Sequence, residues 1–385
     1  MNNIYIDGLA LVDGHFSGVG QYTLGMLRGL DAILEERALT NNHALNIKII
    51  IPYDSKKHVD CFGFKFITTK KYPITYNLAT KLWINGKLPP IDLWCGKGKY
   101  IFPRFVDMPL KFSESNIVIH DISYEKHKEF VDEGNSKFLS AGTLGSVKNA
   151  KHIIVNSIFT KSEVKNFYDF PPNNIIVARA AVDQTHFYRR SDEEINKTKL
   201  KYGIKAKNYI LALSNLEPRK NLESLVDCYC ELPEKLRKDT ALLLVGVNGW
   251  KADKLFKKIL EKVEEGFNIL RPNEYVSDSD KPAIISGASM LVYPSHYEGF
   301  GIPPLEALAC GVPVITSNNS SLPEVVGNAG IMVPSNNKKK LYKAMIDYLE
   351  NIENYTKKAI IEGPERASQF SWKKSAQVYY DLLEN

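Results

Sequence analysis

Short apolar runs bounded by turn residues recur along this chain, and stretches with helical spacing separate them. That is the rhythm of a parallel sheet with covering helices. Residues 3–6, 46–51, 116–120 and 152–156 predict strands in the first half, and residues 209–214, 241–247, 289–294 and 312–316 repeat the arrangement in the second. Between the two series, residues 183–206 are polar, carry an Arg-Arg pair and a Ser-Asp helix start, and show no buried-strand signal. The lobe boundary is therefore expected there. Residues 370–383 read as an amphipathic helix with Ser371 as cap candidate and Trp372, Val378, Tyr379 and Leu382 as its apolar positions. No short-period repeat is present, which argues against a solenoid or propeller.

Length agrees with this two-part pattern, because 385 residues exceed what one ordinary core supports. An α/β architecture is expected, with one doubly wound lobe over residues 1–190 and a second over residues 205–368. Cys61, Cys95, Cys228, Cys230 and Cys310 are scattered and lack paired-ligand spacing, so neither a disulfide framework nor a zinc site is expected. The start of the sequence shows no basic leader, and no run approaches the length of a membrane span. A soluble protein of the reducing cytoplasm is the expectation. The formal charge of +6 suits phosphates or an anionic membrane surface, although a run such as Lys338, Lys339 and Lys340 also suits a solvated helix face. Peripheral contact with the inner face of the membrane follows as an expectation, and nucleic-acid binding does not.

Open parallel sheets bind ligands outside the carboxyl ends of their strands, which says where candidate chemistry should lie. After the strand ending at 294 comes a loop with Glu298, Gly299 and Gly301, then Pro303-Pro304 opening a helix expected to hold Glu306 in its first turn and to end at Gly311. Glycines let backbone approach a ligand, and amides at the helix start can hold phosphate oxygens. Glu306 suits a ribose diol, and Glu298 a sugar hydroxyl or the positive charge developing at an anomeric carbon. The bland alternative for Glu306 is a partner for the helix dipole. After the strand ending at 214, Glu217-Pro218 form a turn and Arg219-Lys220-Asn221 begin a helix. Two cations there can neutralise a diphosphate leaving group without a metal.

Two further segments belong to the first lobe. Ser17-Gly18-Val19-Gly20 links a strand to a helical pattern and resembles a phosphate-binding turn. Thr23 stands where a dinucleotide fingerprint needs its third glycine, and the Lys-Ser/Thr of a P-loop is missing. His120-Asp121 ends a strand on the ligand side, where His120 can touch a sugar or orient an acceptor. The remaining histidines, His15, His43, His58, His127, His152, His186 and His296, form no metal-ligand arrangement.

Together SGVGQYT (17–23), IHD (119–121), IIVNSIFTKSEV (153–164), SNLEPRKNL (214–222), VGVNGW (245–250) and YEGFGIPPLEALACGVPVITS (297–317) make the chain resemble family 4 retaining glycosyltransferases of the GT-B fold, especially bacterial mannosyltransferase-like members. The resemblance implies two Rossmann-like lobes facing a central cleft, acceptor on the N-terminal lobe and nucleotide-sugar donor on the C-terminal one, with the helix at 370–385 packing back on the first. It implies that Glu298 and Glu306 are the family's E-x7-E pair and that Lys220 and Arg219 contact phosphate. Gly18, Gly20, Ser214, Gly299, Phe300, Gly301 and Leu322 complete the donor-contacting set, with Ser321 and Glu324 in the same flanking loop as Leu322.

Two departures stand out. Ser214 occupies the place, six residues before the lysine, where many relatives carry an arginine, so Arg219 is expected to take over the diphosphate clamp. Lys281 replaces the apolar residue usual after the YVSD turn, in the region of base contacts.

The expected reaction is front-face transfer with retention and without metal or other cofactor. Arg219 and Lys220 stabilise the leaving diphosphate, Glu298 holds the sugar, Glu306 holds the ribose, and His120 supports the sugar from the opposite lobe. GDP-mannose is the first-choice donor, and the hydroxyl of a glycan or lipid-linked saccharide of surface polysaccharide the acceptor. Other enzymes of polysaccharide synthesis are the expected protein partners. The alternatives are a UDP-hexose-dependent transferase, a phosphorylase-like or sucrose-synthase-like reaction on the same scaffold, and a silent sugar-nucleotide-binding subunit. No pyridoxal-phosphate lysine context is present.

Overall fold

The computed structural model describes residues 2–12, 17–40, 45–55 and 62–384. Residues 13–16 of the glycine-rich segment, His43, His58 and Cys61 lie outside them. Two α/β units divide the chain: the first comprises Met1–Lys128, Glu133–Ala181 and Ser371–Asn385, the second Glu129–Asp132 and Val182–Phe370.

Seven strands form the first sheet: β1 Asn2–Asp7, β2 Leu45–Pro52, β3 Thr68–Tyr72, β4 Lys99–Phe102, β5 Glu114–Ile119, β6 Ala150–Val155 and β7 Ile175–Val177. Their order is β3-β2-β1-β4-β5-β6-β7, and the pairings are parallel. Strands such as β2, LNIKIIIP, are nearly continuous apolar runs because helices cover both faces. In the second unit β8 Asn208–Leu213, β9 Thr240–Val245, β10 Ile269–Leu270, β11 Met290–Tyr293, β12 Val314–Ser317 and β13 Ile331–Val333 are ordered β10-β9-β8-β11-β12-β13, again parallel. Each sheet reverses its winding once, between β1 and β4 in the first and between β8 and β11 in the second. A parallel sheet opens a ligand-binding crevice beside such a switch point, at the carboxyl ends of the two strands.

The eight strands expected from sequence are all present within one or two residues at each end, and five more join them. TTKKY of β3 is an edge strand with one buried residue, Tyr72, so it lacks the apolar run that marks the others. β10 and β13 are too short to carry a period. Residues 183–206 do not stand between the units but group with the second. They contain the helix Asp192–Lys201, whose Ser191 and Glu194 form a capping box and which packs on the helix Lys281–Ser286.

The last helix, Trp372–Glu384, groups with the first unit and packs on the helix Gly18–Leu39. Close approach requires bare backbone there. A Cβ on Gly25 would lie 2.2 Å from the Trp372 ring, and one on Gly29 2.5 Å from the Trp372 carbonyl oxygen. Tyr22 and Tyr379, both buried, join their hydroxyls at 3.1 Å across the same contact.

Candidate active site

In the second unit the chemistry gathers beside the switch point, on the segments that follow β8 and β11. After β8 the chain makes a 3-10 turn at Pro218–Lys220, and the helix proper starts at Leu222. Arg219 and Lys220 therefore precede the helix rather than begin it. Asn221 between them adopts φ +55°, a conformation asparagine tolerates better than most residues. Its amide nitrogen donates to the Pro294 and Ser335 carbonyl oxygens at 3.1 and 2.9 Å. His296 N–H donates to the Arg219 carbonyl at 2.8 Å. These bonds fix the turn after β8 to the segment after β11.

That fixation delivers two cations to one carboxylate. Lys220 Nζ lies 2.6 Å from Glu298 Oε1 and 2.9 Å from the Tyr293 hydroxyl. Arg219 Nη1 donates to Glu298 Oε2 at 3.1 Å and to the Tyr297 carbonyl at 2.9 Å, while its Nε and Nη2 both bond Glu217 Oε1, at 3.0 and 2.8 Å. Lys220 and Glu298 are buried, so Lys220 is no surface charge. Burial raises the Glu298 pKa, but Lys220 and Arg219 outweigh it and hold the carboxyl down at about 2. Burial, then repulsion from Arg219, draws the Lys220 ammonium below its ordinary value against the pull of Glu298. Two cations and two carboxylates, with Glu217, make a cluster that is formally neutral.

The loop carrying Glu298 is held by Ser321, whose hydroxyl stands 2.9 and 2.8 Å from the carbonyl oxygens of Glu298 and Phe300 and shares its one proton between them. Gly301 follows at φ +104° as the N-cap of the helix Ile302–Ala309, and a Cβ there would stand 2.7 Å from Leu322 Cδ2. Gly311, at φ +65°, ends that helix as expected. Glu306 lies in its second turn, not its first, because the helix opens at Ile302. The dipole-partner explanation for this carboxylate therefore lapses. Burial raises the Glu306 pKa, and Lys281 lowers it. Lys281 itself sits 2.6 Å from Asp278.

Several expected residues act through backbone or packing. Phe300 is buried with its ring edge-on to Phe370, centroids 5.7 Å apart, and Leu322 is fully buried. The side chains of both serve the core, which leaves Phe300 its backbone for ligand contact. Ser214 bonds the Val245 carbonyl through its N–H at 3.0 Å. Tyr293 and Glu217 complete the cluster but carried no assigned role in the sequence reading. Their positions at the end of β11 and just before the 3-10 turn are the signal that finds them.

His120, Gly18 and Gly20 belong to the first unit. His120 is buried, and its Nε2 lies 2.8 Å from the Pro103 carbonyl oxygen, an acceptor only. That nitrogen carries the proton. Burial lowers the His120 pKa, so the ring is neutral near pH 7 and its Nδ1 is an acceptor. Tyr22 and Phe105 pack edge-on against the ring at 5.0 and 5.3 Å. Gly18 and Gly20 form the first turn of the helix Gly18–Leu39, capped by Ser17.

A doubly wound α/β unit with cations and a low-pKa carboxylate beside its switch point has the makings of a diphosphate-binding transferase. The profile of the family described as glycosyl transferases group 1 matches residues 194–366. O-antigen chain mannosyltransferase B of Escherichia coli is 30% identical over 363 residues, covering 92% of this chain and 93% of that protein. O-antigen chain mannosyltransferase RfbU of Salmonella typhimurium is 27% identical over 354 residues, 88% of this chain and 87% of its own length. Sucrose-phosphate synthase from Thermosynechococcus elongatus, 17% identical, has the same fold with a TM-score of 0.74 over 99% of both chains. The chain belongs to the group 1 glycosyl transferases: it is a glycosyltransferase of the GT-B fold. Among the described residues no helix is long and apolar enough to cross a membrane.

Proposed function

We propose that this enzyme transfers mannose from GDP-mannose, with retention and without a metal, to a hydroxyl of a lipid-linked saccharide in O-antigen synthesis. The observation that carries the mechanism is the convergence of Lys220 and Arg219 on Glu298. Two preorganised cations take up the charge that a divalent ion would otherwise neutralise on the departing diphosphate. The names of the O-antigen mannosyltransferases to which the chain is similar support the sugar and the pathway.

In the step itself the acceptor oxygen bonds the anomeric carbon on the face from which phosphate departs. The bond from that carbon to the phosphate oxygen breaks, and its electron pair stays on the phosphate. The acceptor proton passes to a phosphate oxygen, giving nucleoside diphosphate and glycoside. Glu298 holds the cation pair until the donor arrives and then accepts from a sugar hydroxyl. Glu306 accepts from the ribose diol, and neutral His120 offers Nδ1 to a substrate hydroxyl.

We place the enzyme in the cytoplasm at the inner face of the membrane. Supporting this, residues 62–113 hold nine lysines and arginines but only two acidic residues, Asp92 and Asp107. Both acids have ordered partners in the first unit: Asp92 accepts the Lys111 and Phe112 N–H groups, and Asp107 accepts Ser115 and Ser146 hydroxyls. Exposed Leu93 and Phe112 lie among these charges, as an interfacial surface needs.

Melting curves with GDP-, UDP-, ADP- and dTDP-sugars, each with and without EDTA, test the donor and the absence of metal together. Stabilisation by GDP-mannose that EDTA leaves intact is expected. A shift confined to a UDP-sugar moves the donor, and a shift abolished by EDTA removes the metal-free mechanism.

A further inference from the structure

Lys220 has two partners of different kinds. Its Nζ lies 2.6 Å from Glu298 Oε1 and 2.9 Å from the Tyr293 hydroxyl, and it stands 5.1 Å from the centre of the Tyr293 ring. An ammonium has three protons and no acceptor, so the phenol oxygen accepts from it, and a third proton is kept for an incoming oxygen. Glu298 cancels the charge of the lysine. Tyr293 does not: burial, then Glu298, raise its pKa well above the ordinary value, so the phenol stays neutral. It orients the ammonium and leaves the charge whole.

The two partners also differ in how firmly they are held. Tyr293 is the last residue of β11, paired to Thr316 of β12, and is buried. Glu298 is carried by the loop between β11 and the helix Ile302–Ala309. A strand is the more precise support. Glu298 also has other work in the reaction, since it turns to a sugar hydroxyl when the donor arrives. Lys220 then needs an anchor that does not compete with phosphate for its charge.

We propose that Tyr293 is a positioning residue for transfer, holding the Lys220 ammonium toward the departing diphosphate once Glu298 has turned to the sugar, an inference that rests on Lys220 taking up the leaving-group charge. Without that anchor the lysine loses its aim. The loss falls where negative charge develops, in the transition state.

Full-length wild type, Tyr293→Phe, Lys220→Met and the double variant are compared by donor breakdown with mannotriose present. The donor is GDP-mannose, or UDP-glucose if the wild type spends that instead, so a wrong donor is told apart from a wrong role for Tyr293. Tyr293→Phe keeps the ring and removes the hydroxyl, so kcat is expected to fall about tenfold with donor KM within about threefold. Lys220→Met should lose about 10²-fold or more. A residue that acts through the lysine has nothing to position in its absence. Adding Tyr293→Phe to Lys220→Met should therefore change kcat by less than about twofold, whereas a hydroxyl that serves only the core costs the same in both backgrounds.

A second measurement needs only the single variant. Lys220 is faced by Arg219, Glu298 and Glu217 besides Tyr293, and burial, then Arg219, draw its pKa below the ordinary value. The phenol oxygen favours the charged ammonium, so its removal should move the alkaline limb of kcat to lower pH by about one pH unit. An equal loss in both backgrounds, an alkaline limb that stays in place, or a Tyr293→Phe kcat within twofold of wild type overturns the role of Tyr293. Lys220→Met that turns over as fast as the wild type removes the leaving-group role of the lysine, and this inference with it.

Discussion

The two switch points differ in how their charges are met. Beside β8 and β11, Lys220 and Arg219 are answered by Glu298 and Glu217 at hydrogen-bond distance. Beside β1 and β4, Arg104 Nε and Asp7 Oδ2 form a looser ion pair at 3.6 Å with no hydrogen bond to Arg104 Nε, and the Tyr72 hydroxyl at the end of β3 has none either. One set of charges is complete within the protein, and the other leaves donors over. The tight pairing in the second unit suits a charged ligand. A diphosphate brings charge that must be awaited by cations, and unmatched buried cations are too costly to keep, so a carboxylate holds them.

The largest expected effect comes from making the compensated site uncompensated. Glu298→Ala strands Lys220 and leaves Arg219 to Glu217 and the Tyr297 carbonyl, and breaking a buried ion pair in this way costs about 3–5 kcal/mol. Differential scanning calorimetry should show a clear fall in Tm, and transfer should fall by about 10²–10³-fold as for other lost transition-state contacts. Added nucleoside diphosphate should restore more Tm to the variant than it adds to the wild type, because it answers the stranded Lys220. The pH dependence has a definite sign. Glu298 titrates at about 2 folded, against 4.5 for the unperturbed carboxyl. Its stabilisation is therefore full above pH 4.5 and lost as pH falls toward about 2. In Glu298→Ala that part of the acid slope should vanish. An unchanged acid limb would mean that the pair contributes little, and the contrast between the two switch points would collapse.

A smaller effect tests the backbone that aims Glu298. Gly301→Ala places a Cβ at φ +104°, 2.7 Å from Leu322 Cδ2, and strain of this kind costs about 1–3 kcal/mol. The loop must then shift where Ser321 clamps the Glu298 and Phe300 carbonyls. Donor KM should rise more than acceptor KM, which steady-state kinetics with each substrate varied in turn will show. Equal effects on both would detach the loop from the donor.

Legibility in sequence also separates the two switch points, for a physical reason. Arg219, Lys220, Glu298 and Glu306 lie in two contiguous motifs in which prolines and glycines advertise the turns. Their spacing could be read directly, although the mutual neutralisation of Lys220 and Glu298 could not, since pairing depends on the register of β8 against β11. Asp7, Tyr72 and Arg104 come from three distant segments, and one of them ends an edge strand too polar to read as a strand. Arg104 depends on a positive φ at Phe105 that no glycine announces. The strands of both sheets were legible because burial on two faces writes an apolar run. The helix that carries Glu306 starts one residue before the proline pair that signals it, at Ile302, which moves Glu306 from the first turn to the second.

The smallest expected effect concerns Lys281. Lys281 lies in the helix Lys281–Ser286 and packs toward the helix that carries Glu306. Burial raises the Glu306 pKa, Asp278 raises it further, and Lys281 is the cation that draws it back. Glu306 can accept two ribose hydroxyls only when ionised. Lys281→Met removes the opposing charge while keeping the length of the stem, so Glu306 must take up its proton at a higher pH. The acid limb of kcat/KM for the donor should move upward in pH, with kcat at saturating donor changed by less than about threefold, since the loss falls on donor binding. A pH profile of donor kcat/KM, wild type against variant, reads the shift directly. Movement of the limb makes Lys281 the counter-ion that this chain supplies to its second glutamate, a third case of charge answered inside the second unit. An unmoved limb assigns Lys281 to Asp278 alone, 2.6 Å away, and leaves Glu306 to be ionised by its ligand.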